Sequence, residues 1–146
     1  MFSAIADQLH VNGVDTYLRS AMDVRQELMK FVRADSSLCS RIEATLEWTD
    51  TLDKYLDRMT MDGTWGDGNM LSAASLCYRQ RIAILKPDDS QPIIIDNPTV
   101  SSEDNLYLGY VSSSLAGQEN HYVSLRRGVP KEDNDIQQET SKPTSK

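Results

Sequence analysis

Residues 69–85, NMLSAASLCYRQRIAIL, hold the point at which the hydrophobic period of the chain changes. Behind Asn69, a good helix N-cap, the side chains Leu71, Ala74, Ser75 and Tyr78 recur at helical spacing. From Arg81 to Leu85 that period is lost and a short apolar run with β-branched residues takes over, the pattern of a strand. What lies on either side of this switch decides the fold.

Toward the N-terminus every segment is helical in period. Phe2, Ile5, Ala6 and Leu9 mark a first helix over Met1 to His10, ended by Asn12-Gly13, two residues that tolerate a left-handed backbone. No capping signal opens it. Val24, Leu28, Phe31 and Val32 form one stripe of a second helix, expected from Thr16 to Arg33. Asp35-Ser36-Ser37 supplies cap and turn chemistry before a third helical region. That region is expected from Leu38 to Met59, with Ile42, Leu46, Leu52, Leu56 and Met59 facing inward. Asp62-Gly63 and Gly66-Asp67-Gly68 predict a tight loop around Trp65.

Toward the C-terminus the strand pattern repeats at Pro92 to Ile95, Asn105 to Val111 and His121 to Leu125, each bounded by Pro, Gly, Asp or Ser. Helices followed by strands predict an α+β fold with α/β-type layering, helices packed on a small central sheet. One domain is expected over residues 1–127. From 128 to 146 polar residues and proline dominate, and such a tail buries too little apolar surface to order itself.

The chain has 146 residues, enough for one domain with a real core. Its net charge of -7 argues against nucleic acid as a partner, because phosphate contacts need a basic surface. The same charge is compatible with a basic protein partner. Apolar runs such as Ile82 to Leu85 fall far short of the roughly 20 residues of a membrane helix, so no membrane partner is expected. The first ten residues lack the basic region of a signal peptide. A cytoplasmic or nuclear location is the expectation. Two cysteines and two distant histidines build neither a disulfide framework nor a zinc site, and no cofactor or metal is expected. Cys39 and Cys77 lie in apolar helical patterns and read as small hydrophobes. Trp48 and Trp65 read as packing anchors, with a partner-contact role for either left open, His10 as a residue suited to a helix C-terminus, and Asp50, Asp53 and Asp57 as a solvated helix face.

Four blocks along the chain resemble the ovarian-tumour (OTU) family of cysteine peptidases, which includes deubiquitinases. That family carries an Asp-Gly-Asn-Cys signature and then a helix that starts with the nucleophile. Residues 1–9, MFSAIADQL, are similar to that helix without its cysteine. Val24-Arg25-Gln26-Glu27-Leu28 with Phe31-Val32 resembles the next block. Thr64-Trp65-Gly66-Asp67, followed by Leu71, Ala73-Ala74, Tyr78 and Ile82-Ala83-Ile84, resembles the third. Residues 120–125, NHYVSL, are similar to the last, a His-Tyr strand. The blocks occur in the family's order and cover about residues 1–126.

The resemblance implies an OTU-like fold and hydrolysis of an isopeptide or peptide bond after ubiquitin or a related modifier, which would be the partner. It assigns His121 as the general base. It also implies that the nucleophile would precede Met1, so the chain is expected to be N-terminally truncated and inactive by itself. A cysteine at a helix N-terminus gains thiolate character from the helix dipole and a nearby imidazole. Val123 stands two residues after His121, where many members have an Asn or Asp that orients the ring, and it accepts no hydrogen bond. Asp67-Gly68-Asn69-Met70 imitates the nucleophile signature, but a thioether cannot become a thiolate, so it reads as a loop and helix cap. Two alternatives stay open: a non-catalytic ubiquitin-binding or scaffold domain of the same fold, and an unrelated α+β interaction domain.

Overall fold

A computed structural model of the chain describes residues 1–88, 90–100, 105–111 and 121–126. The polar tail expected over 128–146 lies outside the described residues. Five helices precede four strands: α1 (Phe2–Val11), α2 (Ala21–Ala34), α3 (Ser36–Glu43), α4 (Leu52–Thr60), α5 (Gly68–Tyr78), β1 (Arg81–Leu85), β2 (Ile93–Ile95), β3 (Asn105–Val111) and β4 (His121–Ser124). The period change read at residues 69–85 is the α5-to-β1 junction. Among the described residues no helix is long and apolar enough to cross a membrane.

The helix boundaries follow the caps rather than the apolar stripes. The second helix begins at Ala21, not Thr16, because Ser20 and Asp23 form a reciprocal capping box there. Residues 14–20 instead form an irregular segment, fastened to α2 by Arg19, which pairs with Asp15 at 3.0 Å and with Glu27 at 2.6 Å. The third helical region is two helices. Asp35 caps α3 through the Leu38 amide, and Thr51 caps α4 through the Lys54 amide, with a turn between them. The cap of α5 is Asp67 rather than Asn69; its carboxylate accepts from the Met70 amide at 3.1 Å.

The four strands form one sheet in the order β2-β1-β3-β4. β1 and β3 are parallel, while β2 and β4 are antiparallel edge strands. Ile82 and Ile84 on β1 pair with Leu106 and Leu108 on β3. All four are buried and form the floor of the core. Phe2, Ile5 and Leu9 of α1, Val24, Leu28 and Val32 of α2, and Leu71 and Ala74 of α5 cover that floor. Alternate strand residues point to the other side, and there Leu85, Ile94 and Tyr107 are exposed. The layering is therefore one-sided among the described residues, with the helices packed on one face of a mixed four-stranded sheet. Trp48 and Trp65 are not the packing anchors expected of them. At 94% and 55% exposed they stand on the turn before α4 and the loop before α5, outside the helical stripes that reach the core.

Candidate functional site

No side chain caps the first turn of α1, and no acidic residue sits in it. Two neighbours shape the space in front of it. Arg25 of α2 is only 6% exposed, and its guanidinium lies 4.1 Å from the Phe2 ring centroid. It donates to the Met59 carbonyl at 2.9 Å and to the Thr64 carbonyl. These bonds clamp the loop after α4 against the front of α1. Gly66 completes the contact: a Cβ there would lie 2.5 Å from the Met1 sulfur and 3.1 Å from the Phe2 ring. A cavity of about 250 Å³ remains between Met1–Ser3, Ala21, Arg25 and Asp62–Gly66.

The second neighbour is β4. A cleft of about 420 Å³ is lined by Ser3, Ala4 and Asp7 of α1, by Leu18–Ala21, and by Tyr122–Ser124. Further along, Ser124 bonds Asp7 and Gln8, and Arg126 pairs with Asp7 at 3.1 Å. β4 thus runs alongside α1 in the same sense, and the end that begins with His121 lies toward Met1. Tyr122 packs against the core and tilts over Tyr110 with ring centroids 5.1 Å apart. Its phenol is pushed above its usual range, first by burial, then by Tyr110 and the Asp67 carboxylate. That carboxylate also accepts from the Tyr55 hydroxyl at 2.7 and 2.8 Å. Asp67 thereby joins α4, the start of α5 and the surroundings of β4.

His121 itself is exposed and pairs in register with Val111. Strand alternation directs Tyr122 and Ser124 toward α1 and His121 with Val123 to the opposite face. Among the described residues no side chain is hydrogen-bonded to the His121 ring. Val123 lies opposite Gly109, where a Cβ would come within 2.9 Å of its methyl group. The other residues weighed from sequence fall elsewhere. The Cys77 thiol, half-buried in α5, is pushed up to about 11 by burial and by Glu27, the reverse of what a nucleophile needs. Cys39 donates to the Val32 carbonyl at 3.0 Å. His10 sits in the last turn of α1. Asp50 pairs with Arg58 at 2.5 Å, and Asp57 with Arg33 at 3.1 Å.

Two residues that sequence reasoning passed over matter most to the geometry, Gln8 and Asp7. Gln8 is 1% exposed. Its Oε1 accepts from the Tyr107 amide at 2.7 Å, and its Nε2 donates to Ser124 Oγ at 2.9 Å and to the Leu125 carbonyl. The Ser124 hydroxyl in turn donates to Asp7 Oδ2 at 2.5 Å. That bond, with Arg126 behind it, holds the Asp7 carboxyl below its usual range. The signal was present: Gln8 falls on the buried stripe of α1 four residues after Ala4, where a polar side chain needs a partner.

No protein-family model matches the sequence, and no curated protein matches it. Solved structures do. The viral OTU domain protease from Dera Ghazi Khan virus is similar over 85% of this chain and 77% of its own, with a TM-score of 0.52 and 12% identity. An OTU deubiquitinase from Wolbachia pipientis wMel is similar over 92% of this chain and 88% of its own, with a TM-score of 0.52 and 11% identity. At such low identity the likeness concerns the fold. The chain therefore has the layered α+β architecture of OTU domains.

Proposed function

We propose that this chain carries the domain of an OTU-type deubiquitinating cysteine peptidase, acting on an isopeptide or peptide bond after ubiquitin or a related modifier. The observation that carries the reading is the coincidence of two likenesses, one in sequence and one in fold. Four sequence blocks occur in the family's order, and the fold matches a protease and a deubiquitinase of that family. In this reading the nucleophile stands immediately ahead of Met1, at the uncapped front of α1, where the helix dipole favours a thiolate. His121 takes the thiol proton and returns it to the leaving amine, and water then resolves the thioester.

A second reading keeps the fold and the ubiquitin contact but not the chemistry. Val123 favours it, since it cannot orient the imidazole, and so does the alternation of β4 that turns His121 from α1. One experiment separates the two. The chain is extended by Asp-Gly-Asn-Cys ahead of Met1 and exposed to a ubiquitin probe with a thiol-reactive C-terminus. The peptidase reading expects covalent labelling that is lost in His121→Ala. A folded, unlabelled chain that still binds ubiquitin supports the scaffold instead.

A further inference from the structure

The buried Gln8 carboxamide occupies the place of a β-ladder bond. Leu108 pairs with Ser124, so the next antiparallel pair is Tyr107 with Leu125. In such a narrow pair the two residues exchange both backbone bonds. Here only one is direct, from the Leu125 amide to the Tyr107 carbonyl at 3.1 Å. The reciprocal bond is bridged: the Tyr107 amide donates to Gln8 Oε1, and Gln8 Nε2 donates to the Leu125 carbonyl. All four hydrogen-bonding sites of the amide are used, because Nε2 also donates to Ser124 and Oε1 also accepts from Asn12 Nδ2 at 3.2 Å. A fully satisfied buried polar group specifies one arrangement, since any slip strands several groups together.

We infer that Gln8 is a positioning residue, setting the distance and register between the opening helix and the strand that begins with His121. The inference rests on the peptidase reading above. α1 carries the nucleophile position at its front, and β4 carries the base. The Gln8 bridge holds the two elements to each other through the backbone of β3 and β4, which no apolar contact does with the same directionality. Gln8 touches no reacting atom. Its effect is on the placement of groups that do, and small misplacements of reacting groups cost rate.

The test uses the extended chain and the ubiquitin probe. Gln8→Leu removes every bond of the bridge. It is expected to lower the maximal labelling rate by about a hundredfold while leaving the probe concentration at half-maximal rate unchanged. Gln8→Glu is expected to be equally slow at about pH 8 and to approach the parent rate at about pH 5, because burial against the Leu125 carbonyl favours the protonated carboxyl, which again offers one acceptor and one donor. A labelled parent whose Gln8→Leu variant reacts at the parent rate overturns the positioning role and leaves the peptidase reading standing. A folded parent that takes no label removes the peptidase reading and the positioning role with it. Should Gln8→Leu fail to fold, Gln8→Glu decides alone, and a rate ratio to the parent that does not change with pH overturns the inference.

Discussion

Gln8 and Asp7 show which side chains the sequence announces and which it hides. A glutamine on an apolar helical stripe is visible as an anomaly. Its partners on β3 and β4 are about a hundred residues away, and no local pattern names them. The unsuitability of Cys77 was legible too, since its mid-helix position already denied it a dipole. Arg25 was legible only as a matching letter; its clamp on the Met59 and Thr64 carbonyls needs the fold. Asp7 allows a direct check. Its folded-state pKa lies below the unfolded value, so its stabilising contribution is complete above about pH 4 and disappears as pH falls through the folded value. Asp7→Asn should therefore be less stable than the parent near neutrality, and the gap should close in acid. Urea unfolding at a series of pH values measures this, and a gap independent of pH refutes the assignment.

Caps explain why the elements lie where they do. The strands were legible to within a residue, because each is short and bounded by turn formers. The helices were less so. A stripe from Ile42 to Met59 reads as continuous, yet Thr51 caps a new helix within it, and the local amide bond outweighs the period. Ser20 with Asp23 likewise starts α2 five residues later than the expected Thr16. The α5-to-β1 junction adds a cost invisible in sequence. Arg79 adopts a left-handed backbone with φ 56°, a position where glycine is the usual choice. Its amide and that of Gln80 both donate to the Ser75 carbonyl. Relief of that strain outweighs the added freedom of the unfolded chain, so Arg79→Gly should raise stability by about 0.5–1 kcal/mol. Chemical denaturation reads the change, and a loss of stability would show that the Arg79 side chain contributes more than its backbone costs.

The order of helices before strands was enough to foresee layers around one sheet. The parallel pairing of β1 with β3 was not, because register between strands separated by an antiparallel excursion is settled by which faces bury together. Nor was the exposure of Trp48 and Trp65, which lie on loops where helical stripes say nothing. Folding brings the uncapped front of α1, the loop carrying Trp65, the exposed Leu18 and the start of β4 to one side of the protein. Tryptophan and tyrosine, here Trp65 and Tyr122, are enriched among the side chains that carry binding energy at protein interfaces. Both functional readings place ubiquitin on that surface. Titration of the isotope-labelled chain with ubiquitin, followed by amide chemical shifts, examines it without any nucleophile. Shifts concentrated at Met1–Ala4, Leu18, Thr64–Gly66 and Tyr122 are the expected result. A spectrum unmoved by ubiquitin, or one perturbed only on the far side of the sheet around Ile94 and Tyr107, would contradict both readings.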